Sequence, residues 1–260
     1  MADRHGVIRA SGFGFLSDFG FRISDLSTVN IEMHSDRFAW LLLHSGVNSA
    51  AFNMALDEAL LEAMPHLGKP LLRFFAWAER AASFGYSQRY AEVEGATVLR
   101  PLILRPTGGG LVPHDADWTY SLVFPADAEW YSLPAVDSYR RAHDWLRAAF
   151  AKLNVVTELA PDCHRAGPGQ CFVGHEQFDL LWRGKKIAGA AQRRTRNGLL
   201  IQGSVQPPAA IARADWERAM CDAAGTGVAW TEFALDAALR ERAAALARQK
   251  YSQAGYNRKR

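Results

Sequence analysis

The sequence predicts an α+β fold, with mixed, largely antiparallel sheets packed with helices in a single folded domain. Three observations point there. Short apolar runs of strand length are mixed with longer segments of helical period, without the strict alternation of a doubly wound parallel sheet. Asn197-Gly198 separates two of these runs as a hairpin turn would. Of the 260 residues 49% are apolar, with eight Trp and fourteen Phe, which is enough for a substantial core.

Residues 1–32 differ from the rest. Phe13-Gly14-Phe15-Leu16-Ser17-Asp18 nearly repeats as Phe19-Gly20-Phe21-Arg22-Ile23-Ser24-Asp25, with no helical period and no turn logic. They read as a disordered tail or as sequence upstream of an alternative start at Met33, and the domain is expected over 33–260. A strand is predicted at 38–43. Asn48 or Ser49 caps a helix to about Met64, with Phe52, Leu56, Leu60 and Met64 on its apolar stripe and Asp57, Glu58 and Glu62 away from it. Strands follow at 71–77, 98–104 and 120–124. Pro134 opens a helix whose stripe is Val136, Tyr139, His143, Leu146, Phe150 and Leu153, so His143 reads as a satisfied core histidine. Three further strands are predicted at 178–182, 186–191 and 199–205. From Pro207 the chain is Ala-rich and helical, with Leu235, Leu239 and Leu246 as packing residues and 257–260 as a solvated tail.

Composition excludes several classes. A net charge of +3 is too mild to imply nucleic acid. No apolar run approaches the ~20 residues of a membrane span, and the N-terminus lacks the pattern of a signal peptide. Three cysteines without a secretion signal indicate reduced thiols and a cytoplasmic setting.

The most informative stretch is Arg105-Pro106-Thr107-Gly108-Gly109-Gly110-Leu111-Val112-Pro113-His114-Asp115. Three glycines between apolar runs let a ligand approach the backbone, and a plain hairpin needs fewer turn residues. Cys171 lies in a Gly- and Pro-containing loop composition close to Lys185, Lys186, Arg193 and Arg194. It reads either as a cation-activated nucleophile or as a small buried hydrophobe. Lys186, Ala188 and Ala190 are expected to share one strand face, with room for a ligand carbonyl or phosphate. Cys163-His164 and Cys171…His175 lack the paired spacing of zinc sites, so no metal is expected. Arg193-Arg194-Thr195-Arg196 lacks the interleaved aromatics of a nucleic-acid platform and suits an acidic protein partner equally well. Neither a Walker-type nor a dinucleotide-binding glycine motif is present.

Four ordered blocks over residues 40–206 resemble the biotin/lipoate A/B protein ligase family, in its lipoate–protein ligase and LipM-type octanoyltransferase branch. They are Asn53 to Leu60, Arg73 to Gln88, Arg105 to Asp115, and Gly184 to Gln192 with the strand after it. The resemblance implies a catalytic domain like those of biotin ligases and class II aminoacyl-tRNA synthetases, enclosing a tunnel for a medium-length acyl chain. It implies acylation of one lysine of a lipoyl domain or of the glycine-cleavage H protein. Carried over by position, Gly108, Gly109 and Gly110 line the acyl pocket, Arg73 and Arg105 flank it, and His114, Gly189 and Ala190 border it. Lys186 contacts the acyl carbonyl or an adenylate phosphate, and Asp179 stands where ligases often have an acidic residue near the nucleotide. The chain departs from the family pattern at Leu104, where an arginine is expected, and at Ile201-Gln202-Gly203-Ser204, where a histidine often precedes the glycine.

The branch divides by mechanism. Ligases use ATP and Mg²⁺ to make an acyl-adenylate, whereas octanoyltransferases take octanoate from acyl carrier protein through an acyl-cysteine and need no cofactor. Cys171, fifteen residues before Lys186, falls where the LipM type carries its cysteine. The residues after the core read as helices and are expected to be too few for the accessory domain of long ligases. Both points favour transferase over ligase, with a non-catalytic acyl-binding protein as a third reading.

Overall fold

The computed structural model describes residues 39–164, 174–208 and 211–259. The expectations for residues 1–32 and for Cys171 lie outside the described residues.

The chain runs through β1 (Ala39–Asn48), α1 (Ala50–Leu67), β2 (Leu71–Trp77), β3 (Ala81–Phe84), α2 (Tyr90–Glu94), β4 (Leu102–Leu104), β5 (Val112–His114) and β6 (Trp118–Pro125). It continues with α3 (Glu129–Ser132), α4 (Ala135–Lys152), β7 (Glu158–Leu159), β8 (Leu180–Trp182), β9 (Lys185–Thr195) and β10 (Gly198–Val205). Then come α5 (Arg213–Asp222), β11 (Ala229–Glu232), α6 (Ala237–Leu246), a π-helical turn (Ala247–Tyr251) and α7 (Ala254–Asn257). Among the described residues an eight-stranded sheet has the order β11-β1-β2-β6-β10-β9-β8-β7, and a three-stranded sheet the order β4-β3-β5. In the large sheet β1 pairs parallel with β2 and β11, and the remaining pairs are antiparallel. The mixed, largely antiparallel α+β architecture is therefore as expected.

Strand alternation divides the large sheet's side chains between two cores. Trp40, Leu42, Leu72, Phe74, Leu122, Phe124 and Ile201 pack with α4 and α5. Leu41, Leu43, Leu71, Phe75, Val123 and Leu200 pack with α1 and α6. Helices on both faces leave β6 and β10 buried along their whole length. Ser49 caps α1, its Oγ accepting from Phe52 N–H at 3.3 Å, and Gly68 ends the helix at φ 62° with its N–H donating to Met64 O.

Four expectations change. Asp57 does not point away from the core. It is wholly buried, and its Oδ1 accepts from Arg73 Nη1 at 2.6 Å. The strand expected at 98–104 shrinks to Leu102–Leu104, because Val98 is 94% exposed and Pro101 has no N–H for a ladder. Phe178 sits at φ 70°, so its strand begins at Leu180, while β9 runs past Ala191 to Thr195. Val136 is half exposed and lies off the α4 stripe.

Asp57 holds more than Arg73. Its Oδ2 accepts from Ser121 Oγ at 2.7 Å and from Gln202 Nε2 at 2.6 Å, and Gln202 Oε1 accepts from Thr107 Oγ1 at 2.7 Å. Arg73 is completed by Asn53 O, Asn53 Oδ1 and Ser45 Oγ at 3.0, 2.7 and 2.8 Å. Removing one partner of such a pair strands the other charge in the interior. Asp57→Ala is expected to cost about 3–5 kcal/mol of stability in urea unfolding. An unchanged midpoint would show that the network is not stabilising.

Candidate active site

The triple-glycine loop between β4 and β5 is shaped from inside by Arg105. Its guanidinium donates to Gly108 O from Nε at 3.0 Å and from Nη2 at 2.5 Å, to Gly110 O at 2.8 Å, and to Ser83 O at 3.1 Å. A Cβ on Gly85 would lie 1.9 Å from Gly109 O, so the loop crosses directly over the end of β3. Gly109 itself adopts φ 82°. Arg105 is thus a clamp on the loop's own carbonyls.

His114 stands beneath this loop. Its Nε2 is 2.8 Å from Ser83 Oγ, its Nδ1 is 2.8 Å from Asp117 Oδ2, and its ring stacks on Trp77 at 3.8 Å. Ser204 Oγ donates to the same Asp117 oxygen at 2.7 Å. The neighbouring Asp115 pairs instead with Arg80 at the surface. The chain from Ser83 through His114 and Asp117 to Ser204 stitches β3 and β5 to β10. Arg73 is wholly internal among the partners given above. Arg73 and His114, like Arg105, hold the scaffold together from buried positions.

Open space lies on the other side of the loop. Tyr86, Ser87, Pro106, Gly108, Gln192, Arg193 and Arg194 line a cavity of about 390 Å³. Gly108 is thereby placed at a pocket, together with residues from the far end of β9.

The near end of β9 carries Lys186. Its Nζ is 2.7 Å from Asp179 Oδ2, and both side chains are almost fully buried. Asp179 also accepts from Glu176 N–H at 2.7 Å and from the Tyr139 hydroxyl on α4. The shared face expected for Lys186, Ala188 and Ala190 is broken by a bulge: Leu180 pairs with Ala188, but Leu181 pairs with Lys186. Ile187 and Ala188 consequently both join the apolar core. Lys186 lies against Gly189, where an added Cβ would be 2.8 Å from its Cε and 2.9 Å from its Nζ. Gly189 leaves room for the lysine, and Ala190, opposite Gly203, is half-buried further along the strand.

His143, one turn beyond Tyr139, is fully buried. Its Nδ1 donates to Tyr139 O at 3.0 Å, but among the described residues its Nε2 has no hydrogen-bond partner. It is a core histidine satisfied at one nitrogen only. Among the described residues no group of three or more His, Cys, Asp and Glu side chains could hold a metal ion. The residues that flank Cys171 meet as an antiparallel bridge between His164 and His175. Tyr139, Thr107 and Gln202 carry no site role in the sequence reading, where Tyr139 is a stripe residue of α4 and Thr107 a member of the glycine stretch. The signals were the glycine stretch for Thr107 and the departure from the family pattern for Gln202.

Burial lowers the pKa of His143, opposed by nearby Asp179. The unfolded chain, with histidine near its ordinary ~6.5, therefore binds the proton more readily than the native state. The stability this group contributes is present above about pH 6.5 and is lost as pH falls towards the lower native value. Urea unfolding between pH 7.5 and 5.5 is expected to show a shallower loss in His143→Phe than in the parent. Equal slopes would exclude His143 as the group responsible.

Residues 49–206 match the family described as the lipoyl protein ligase A/B catalytic domain. The octanoyltransferase LipM of Kyrpidia tusciae is 35% identical over 179 residues, covering 64% of this chain and 65% of that protein. The octanoyltransferase LipM of an Exiguobacterium species is 33% identical over 180 residues with the same coverage. The matched region thus spans 65% of the length of these relatives. Among solved structures, lipoate-protein ligase A bound with ATP superposes with a TM-score of 0.69 at 19% identity, covering 85% of this chain and 98% of that one. A structure from an archaeal lipoylation system, a bi-partite lipoate protein ligase and its E2 lipoyl domain from Thermoplasma acidophilum, gives a TM-score of 0.63 at 19% identity, covering 85% and 95%. At such identities the structural likeness speaks for the fold, which agrees with the sequence match. The chain belongs to the lipoyl protein ligase A/B catalytic domain family.

Proposed function

We propose that this protein transfers an octanoyl group from octanoyl-acyl carrier protein to one lysine of a lipoyl domain or of the glycine-cleavage H protein, through a thioester on Cys171. The observation that carries the reading is Lys186, held against Gly189 by a buried carboxylate in a chain whose relatives are octanoyltransferases. Cys171, fifteen residues earlier in sequence, supplies the thiol.

The Cys171 thiolate attacks the donor's thioester carbonyl. A C–S bond forms, the carbonyl oxygen takes the negative charge, and collapse expels the carrier thiolate. The acceptor's neutral lysine amine then attacks acyl-Cys171. An amide forms, the C–S bond breaks, and the proton lost by the amine leaves with the Cys171 thiol. Exchange of one thioester for another keeps the acyl group activated between the two steps, so no ATP is consumed. Lys186, fixed by Asp179 and Tyr139, stabilises the oxyanion in both steps. A ligase would instead need ATP and Mg²⁺ to activate a free acid.

Incubation with octanoyl-carrier protein is expected to give an octanoyl adduct by intact mass that hydroxylamine removes and that Cys171→Ala lacks. Lys186→Ala is expected to slow transfer by about 10²–10³-fold, the usual cost of a lost oxyanion donor. If no adduct forms, while ATP and free lipoate modify a lipoyl domain and Cys171→Ala is harmless, the protein is a ligase. Octanoate binding without modification under either regime would make it an acyl-binding protein.

A further inference from the structure

Of the solvated tail expected at 257–260, Arg258 and Lys259 are exposed as expected, whereas Asn257 and the residues before it are tied into the fold. Lys250 Nζ donates to both Glu58 oxygens at 2.7 and 2.6 Å, and Tyr251 OH donates to Glu58 Oε2 at 2.5 Å, which fastens the π-helical turn to α1. Asn257 Oδ1 accepts from Leu104 N–H at 2.9 Å, and its Nδ2 donates to Tyr251 O at 2.8 Å. Leu104 is the residue before the Arg105 clamp. The segment Tyr251–Lys259 is therefore a hook laid along β4, at the edge of the small sheet.

The hook brings a cation beside a wall of the pocket. Lys259 Nζ lies 4.2 Å from the Tyr256 ring centre and 5.0 Å from that of Tyr86, a pocket wall. Arg193, on the same pocket, lies 6.0 Å from Tyr86. Arg194 donates from Nη2 to Leu133 O at 2.8 Å and Ser138 Oγ at 3.0 Å, yet its buried Nε has no hydrogen-bond partner among the described residues. No carboxylate is among the pocket's lining residues. Arg193 and Arg194 from β9 thus line the cavity, and Lys259, 66 residues beyond Arg193 in sequence, stands beside its Tyr86 wall. Such a set of donors recognises a phosphate.

A pocket of about 390 Å³ cannot admit a folded partner, but it can admit the root of an arm. Along β9, the four residues from Gly189 to Arg193 cover about 13 Å. One strand therefore presents Lys186 and Gly189 to the acyl end of an elongated donor and Arg193 to its anionic end. We infer that Arg193, Arg194 and Lys259 bind the phosphodiester of the donor's phosphopantetheine arm, and that the hook exists to place Lys259. This inference rests on the octanoyl-transfer reading for the identity of the donor. The same phosphodiester occurs on acyl carrier protein and in coenzyme A.

Calorimetry on the full chain, with 4′-phosphopantetheine and with pantetheine as probes, tests the site without turnover. The phosphorylated compound is expected to bind at least about tenfold tighter, the usual worth of hydrogen bonds to a charged group. That preference is expected to disappear in Arg193→Glu and in Lys259→Glu, the second being an exposed position at the chain end where refolding is not at stake. Equal affinity for the two compounds overturns the inference. In turnover, octanoyl-carrier protein and octanoyl-coenzyme A are compared with the phosphate-free octanoyl-N-acetylcysteamine. Each reversal is expected to shrink the preference for both phosphorylated donors over the short one by about tenfold, and the donor with the lower KM identifies the source. A response confined to the carrier protein, or to the acceptor lipoyl domain, also overturns it. Absence of transfer from all three donors would instead defeat octanoyl transfer, and the phosphopantetheine titration would still judge the site.

Discussion

The architecture around the pocket depends on one buried carboxylate. Asp57 brings a negative charge into the interior from α1, and three strands answer it: Arg73 from β2, Ser121 from β6 and Gln202 from β10. Burying a charge is tolerable only when its lone pairs are filled, so these partners are mutually obligatory. Through Gln202 the network reaches Thr107, one residue before the triple glycine. Arg105 grips the same loop from beneath through Gly108 O and Gly110 O. The loop's glycines permit its path over Gly85, but the path itself is imposed by these two polar anchors.

What sequence could reveal follows from the range of each interaction. The helices α1 and α4 and the strands β2, β6 and β10 are written in local periodicity, and the local pattern found them. The glycine loop was legible because three adjacent glycines have few other uses. Asp57 was misplaced because its partners lie 16, 64 and 145 residues away, and an acidic residue on a helix with an apolar stripe ordinarily faces water. The strands β3, β5, β7 and β11 have four residues or fewer, too short to show alternation. The bulge at Ile187 was equally hidden, since a one-residue insertion leaves no compositional mark yet moves Lys186 away from the face of Ala188. The chain end reads as polar and basic, and the acceptance of Leu104 N–H by Asn257, 153 residues away, ties Asn257 to the fold in a way no local pattern shows.

The departure from the family pattern at Ile201-Gln202-Gly203-Ser204 has a physical explanation here. Gln202 can donate to Asp57 and accept from Thr107 at once, which needs the two ends of an amide. Gly203 is required by Tyr120, whose ring would come within 2.1 Å of a Cβ there. Ser204 supplies a donor to Asp117. A stretch that looks divergent at the level of motif is thus fully employed in joining β10 to α1, to the glycine loop and to the His114 cluster.

The two ends of β9 are built under opposite electrostatic rules, and this difference assigns them different work. At Lys186 the cation is buried and matched by Asp179, which itself takes Glu176 N–H and the Tyr139 hydroxyl. A charge so constrained is held at a fixed point, as stabilisation of a transient oxyanion requires, because donors already oriented need no rearrangement when charge develops. At Arg193 and Lys259 the cations lean on tyrosine rings and on carbonyl oxygens beside an open cavity. No carboxylate is among the residues that line that cavity, so its wall offers an arriving anion no like charge. A rigid lysine at one end and receptive cations at the other suit a substrate that reacts at its acyl tip and is recognised at its anionic root.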